Sequence, residues 1–142
     1  MPISEALIAE GFEVYGVDAS ATMIEAFLRR FPEAHAQSAS VEDSDFFRRT
    51  FDGVVASGLM FLLPAGIQAL LIHKVAAVLN PTGRFLFTSP QESCTWYDAL
   101  TGRDSISLGS HVYGQILNAQ GFTVVGERFD EGRNHYFFTL KS

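Results

Sequence analysis

The stretch Phe12-Glu13-Val14-Tyr15-Gly16-Val17-Asp18-Ala19-Ser20 decides the reading of the fold. Its first six residues, rich in aromatic and β-branched types, predict a short strand that ends at Asp18. Ser20 stands where a helix cap belongs. Met23, Ile24, Phe27 and Leu28 then recur at helical spacing up to Phe31, and Pro32 stops the run. Upstream, Ile3, Leu7 and Ile8 mark a helix that Gly11 terminates. Helix, strand and helix thus follow one another, with a carboxylate at the strand's tip.

Working outward, the alternation continues. A weak strand is expected near Ala34 to Gln37, and Phe51 to Ser57 reads as a strand buried on both faces. Ile67 to Leu79 is an amphipathic helix, stopped by Asn80-Pro81-Thr82-Gly83, and Arg84 to Thr88 is a second buried strand. Ser89 to Leu108 reads as polar and irregular. His111 to Gln120 is helical up to Gly121, and the strands Phe122 to Phe129 and His135 to Leu140 flank the turn Asp130-Glu131-Gly132-Arg133. Alternating strands and helices imply a parallel sheet covered by helices. The last two strands cannot be parallel to each other, because a parallel crossover needs about a dozen residues or more. The expected fold is therefore α/β, a Rossmann-like, mostly parallel sheet with a C-terminal antiparallel hairpin, in one domain over residues 1–142.

Composition narrows the function classes. The chain has 142 residues, 47% apolar and 18% charged, with a formal charge of −6. That is one folded domain with a real core. No run of Lys or Arg offers a footprint for a phosphate backbone, so nucleic acid is not expected as a partner. No segment reaches the roughly 18 apolar residues of a membrane span, and the start lacks the pattern of a signal peptide. Cys94 is the single cysteine, which points to a reducing compartment and a cytoplasmic home. No spacing of His, Cys or acidic residues suggests a metal site.

Three motifs together resemble class I S-adenosylmethionine-dependent methyltransferases: the acidic strand end Val14 to Ser20, the strand and loop Phe51-Asp52-Gly53-Val54-Val55-Ala56-Ser57-Gly58-Leu59, and the turn Leu79-Asn80-Pro81-Thr82-Gly83-Arg84-Phe85-Leu86. They occur in family order, the terminal hairpin fits too, and the resemblance covers essentially the whole chain. It implies S-adenosylmethionine as cofactor and a small-molecule methyl acceptor. It also implies roles. Asp18, with Ala19, would hold the ribose diol, since a carboxylate at a strand tip accepts both hydroxyl hydrogens. The alternative is a capping or turn aspartate before Ser20. Ser40, Val41 and Glu42 align with the adenine loop, where the family often has an Asp at the position of Ser40; a solvated acidic loop ahead of Phe46-Phe47 is the rival reading. Met23 would touch the adenine or ribose edge unless it is core. Ser57 and Gly58 fall near the reactive sulfonium, unless Gly58 only makes a turn.

One family element is missing. A Gly-x-Gly-x-Gly loop should precede the ribose acid by about 20 residues, and only 17 residues precede Asp18. The chain thus reads as an incomplete methyltransferase domain that lacks the usual first strand, with cofactor binding impaired or absent. In the family that strand lies between the strands ending at Asp18 and Ser57. Its loss should leave two open edges, to be closed by re-pairing of strands or by homodimerisation.

Methyl transfer is an in-line displacement that rests mostly on positioning. Loops at the C-terminal edge of the parallel strands, and the start of the antiparallel one, gather there. Cys94, Trp96, His135 and Tyr136 are therefore candidates for the acceptor pocket; which residues are catalytic stays open. Each also has a plain reading, as a small buried residue, a loop anchor or a capped histidine. The rival functions are a non-catalytic remnant that dimerises through its sheet edges and a nicotinamide-dependent fold. The terminal hairpin argues against the latter.

Overall fold

A computed structural model describes residues 2–142, which divide into two compact units, the first reaching Arg48 and the second Arg49–Ser142. The first unit runs α1 (Pro2–Ala9), β1 (Tyr15–Asp18), α2 (Ala21–Arg30) and β2 (His35–Ser38). Helix α1 ends in a Schellman motif. Gly11, at φ 91, donates to the Ile8 carbonyl and Phe12 to the Leu7 carbonyl. Helix α2 starts where the sequence places it, with the Ser20 Oγ accepting the Met23 N–H at 3.2 Å. Strands β1 and β2 pair in parallel from Tyr15 opposite His35 to Asp18 opposite Ser38. Phe27 is buried, its ring 3.4 Å from where a Cβ on Gly16 would stand, so Gly16 lets α2 lie close on β1. After β2, Phe46, Phe47 and Arg48 take φ of 47, 63 and 51. Such conformations cost of order 1–3 kcal/mol each unless the surroundings hold them. Here Ser44 accepts the Phe46 N–H and Asp45 the Phe47 N–H.

The second unit holds β3 (Phe51–Ala56), α3 (Ala65–Val78), β4 (Leu79–Thr88), β5 (Cys94–Asp98), β6 (Arg103–Ser107), α4 (Gly109–Ala119), β7 (Phe122–Phe129) and β8 (His135–Lys141). Its main sheet has the order β3-β4-β8-β7. Strands β3 and β4 are parallel, and β8 is antiparallel to both β4 and β7. The terminal hairpin therefore closes the sheet as expected, with its last strand in the middle. The turn Asn80-Pro81-Thr82-Gly83 bulges out of β4. Phe51 pairs with Leu79 and Gly53 with Arg84, and Thr82 sits at φ 65.

The core lies on one face of this sheet. Phe87 and Phe137 stack at 4.7 Å across β4 and β8, and Tyr113 of α4 meets both edge-on. Phe85 and Phe122 extend the cluster. Helix α3 adds Gln68, Leu71, Ile72, Val75 and Ala76, the spacing of one helical stripe. Each large apolar side chain buried here contributes about 1.5–3 kcal/mol. Lys141 fastens the far end of α3, its Nζ donating to the carbonyls of Ala76 at 2.5 Å and Leu79 at 2.7 Å. Ser142 donates twice to the Gly121 carbonyl.

Three expectations change. Strand β3 is not buried on both faces. It is an edge strand whose Asp52, Gly53 and Val55 are exposed, because β4 is its one neighbour in the sheet. The stretch 89–108 is not irregular; it contains the antiparallel hairpin β5–β6. Its turn is set by Gly102 at φ 69, whose N–H meets the Asp98 carbonyl at 2.8 Å. Re-pairing of strands to satisfy open edges is not seen, since β1 pairs with β2 and β3 with β4 among the described residues. No helix among those residues is long and apolar enough to cross a membrane.

Candidate functional site

In the first unit, the C-terminal ends of β1 and β2 carry two groups of candidates to one edge. The Asp18 carbonyl accepts the Ala39 N–H at 3.0 Å, so Asp18-Ala19 and Ser40-Val41-Glu42 leave adjacent strand tips. The exposed Asp18 carboxylate accepts the Ser20 N–H on Oδ1 at 2.8 Å. This is the turn aspartate of the plainer reading, yet it leaves Oδ2 without a hydrogen bond among the described residues. The Ser40 Oγ accepts the Asp43 N–H at 3.3 Å, within a turn. Met23 is 49% exposed on the first turn of α2 and so is not core. These residues fit the nucleoside half of the expected cofactor. One carboxylate oxygen is open to a diol, and a polar turn stands on the next strand tip.

In the second unit, Ser57 and Gly58 follow β3. Gly58, at φ 68, donates its N–H to the Thr88 Oγ1 at 2.7 Å, tying this loop to the end of β4. A cavity of about 420 Å³ opens at the same sheet edge. Cys94, Trp96 and His135 all line it, together with Phe61 and Phe129. Thr88, Ser89, Glu92 and Arg133 are its main polar groups. Tyr136 is not among the lining residues. Alternation along β8 turns it to the other face from His135 and Phe137.

The cavity wall is built on buried polar contacts that the sequence does not announce. Gln68 is fully buried and donates from Nε2 to the Leu63 and Ile106 carbonyls, both at 2.9 Å. Its Oε1 is therefore an acceptor, and the Tyr113 hydroxyl donates to it at 2.5 Å. Ser89 then donates to the Tyr113 oxygen at 2.9 Å. The loop after β4 is also pinned by Ser107, which donates to the Pro90 carbonyl at 2.6 Å, and by the Ser110 N–H on the Gln91 carbonyl. His135 is buried with both ring nitrogens facing protein acceptors. Nδ1 lies 3.2 Å from the Ser89 carbonyl and Nε2 3.3 Å from the Glu127 carboxylate. It links β8 to the loop after β4 and to β7. A Gln mid-helix gives no such signal in sequence; only its packing against Tyr113 reveals it. Among the described residues no cluster of His, Cys, Asp or Glu is arranged to hold a metal ion.

Comparison with known proteins fixes the family. The methyltransferase domain family matches residues 2–83, more than half of the sequence. The chain belongs to that family. Solved structures share the fold of this methyltransferase domain at low identity. A 1,6-didemethyltoxoflavin-N1-methyltransferase from Burkholderia thailandensis is 18% identical with a TM-score of 0.79; the match covers 98% of this chain and 65% of that one. A magnesium protoporphyrin IX methyltransferase from Synechocystis is 14% identical with a TM-score of 0.74, covering 99% and 63%. A methyltransferase from Methanosarcina mazei is 14% identical with a TM-score of 0.76, covering 97% and 86%. The domain thus spans less than two thirds of the length of the first two. A comparison with curated proteins finds no match. The Rossmann-like α/β class read from the sequence holds.

Proposed function

We propose that this methyltransferase domain binds S-adenosylmethionine and serves methyl transfer to a small molecule, with cofactor binding weakened. The observation that carries the reading is the Asp18 carboxylate, exposed at the tip of β1 with one oxygen open, beside the Ser40–Glu42 turn. S-adenosylmethionine supplies a methyl group on a sulfonium. The chain's own residues would bind and orient. Asp18 accepts from a ribose diol, Ser40 to Glu42 border the base, and Ser57 and Gly58 lie on the loop that the Gly58 N–H ties to Thr88 of the cavity wall. The cavity beside β4 and β8 is the acceptor site, with Cys94, Trp96 and His135 in its wall. His135 positions that wall. The Burkholderia relative is solved with 1,6-didemethyltoxoflavin and S-adenosylhomocysteine, and the Synechocystis one with S-adenosylmethionine; both support a small acceptor. The free, exposed thiol of Cys94 suits a reducing, cytoplasmic setting.

Calorimetric titration with S-adenosylmethionine tests this. Binding weaker than about 1 μM, which corresponds to roughly −8 kcal/mol, is expected. Asp18→Asn should weaken it about tenfold or more, the worth of a charge-assisted hydrogen bond. Heat that is unchanged in Asp18→Asn would remove the carboxylate from the site.

A second reading rests on β3. An edge strand with Val55 exposed offers backbone groups to another chain. In this reading the domain is a non-catalytic homodimer joined through that edge. A folded dimer by light scattering, with no detectable S-adenosylmethionine heat, would favour it over methyl transfer.

A further inference from the structure

The cavity of the second unit has a composition that selects by shape. Four of its lining residues carry aromatic rings, and they come as two contacting pairs on different elements. Phe61 and Trp96 meet at 5.6 Å between centroids, one from the turn after β3 and one from β5. Phe129 and His135 meet at 4.8 Å, from β7 and β8. Part of the wall is tied down. The His135 imidazole is held at both nitrogens, and the loop after β4 is tied down by Ser107 and Ser110. At about 420 Å³ the space suits a molecule of one to three fused rings. Paired rings reward a flat partner, through offset or edge-on contacts, and gain little from a puckered one.

We infer that the acceptor class of this site is a flat aromatic or heteroaromatic small molecule, gripped by the Phe61–Trp96 and Phe129–His135 pairs. The inference deepens the reading of the cavity as the acceptor site, and it concerns binding to the free protein without cofactor.

Trp96 is the sole tryptophan, so its indole N–H gives a single resonance in a proton–nitrogen correlation spectrum. The probes are 2-naphthol and decahydro-2-naphthol, which share carbon frame and hydroxyl and differ in flatness. 2-Naphthol should shift the indole signal saturably and bind about tenfold tighter than its saturated counterpart. Phe129→Leu and Phe61→Leu keep the reporter. Each should reduce that ratio about threefold or more while changing the affinity of decahydro-2-naphthol less than about twofold. Should one variant fail to fold, the other and the unmodified protein still decide. Equal affinities for the two probes, or an indole signal unmoved by 2-naphthol up to its solubility, would overturn the inference. The calorimetry above is independent. Cofactor heat with no preference for 2-naphthol sinks only the acceptor class, and the preference without cofactor heat sinks only the cofactor reading.

Discussion

Tyr113 shows how one side chain holds a site wall together. Its hydroxyl stands between Ser89 and Gln68, and all three are buried. Tyr113→Phe keeps the ring packing on Phe87 and Phe137 but leaves the Gln68 Oε1 and the Ser89 hydroxyl without their partners. Unfolding in urea should show a loss of about 1–3 kcal/mol, the cost of an unsatisfied buried acceptor. Asp130 acts at the surface. The Asn134 side chain, then the Asn134 backbone N–H, hold its carboxyl below the usual carboxylate range. A folded value below the unfolded one means that the turn between β7 and β8 is supported above the ordinary range. That support is lost as pH falls through the lower, folded value. The protection of the Asn134 amide, its exchange relative to the intrinsic rate at each pH, should therefore fall in acid, and Asp130→Asn should flatten that dependence. Asp18 illustrates what sequence can and cannot fix for a residue. Its place at a strand tip was legible from Val14 to Ser20, whereas the sharing of its oxygens between the Ser20 N–H and solvent is a matter of turn geometry.

Among the elements, those with strong periodicity read correctly: α2 with its Ser20 cap, α3, α4, and the β7–β8 hairpin. The hairpin β5–β6 did not, because Cys94 to Asp98 and Arg103 to Ser107 are short, polar and without clean alternation. Its clue was Asp98 and Gly102 around a four-residue turn. Strand β3 misled for the opposite reason. A run of Val and Ala reads as buried, but exposure depends on how many neighbours the sheet provides. The start of α4 carries a sharper constraint. Gly109 sits at φ 82, and a Cβ there would stand 2.7 Å from the Ser93 backbone nitrogen. Gly109→Ala should cost about 1–3 kcal/mol in thermal or urea unfolding. It should also push away the loop that walls the cavity, seen as a displaced Trp96 indole resonance.

At the scale of the molecule, the family and the α/β class were legible because three weak motifs appeared in order. The state of assembly was not, since it depends on what meets the β3 edge. If copies join there, a charge on that edge should separate them. Val55→Lys should lower the apparent mass in sedimentation equilibrium while leaving far-ultraviolet dichroism unchanged; an unchanged mass would argue against edge pairing. Lys141 and Ser142 have a different bearing on how the molecule comes apart. Lys141 grips the end of α3 and Ser142 grips Gly121. Strand β8 is thus pinned to a core helix and to the turn before β7. Losing those bonds would loosen a core helix and a central strand together, so failure there should spread as abrupt collapse rather than gradual fraying.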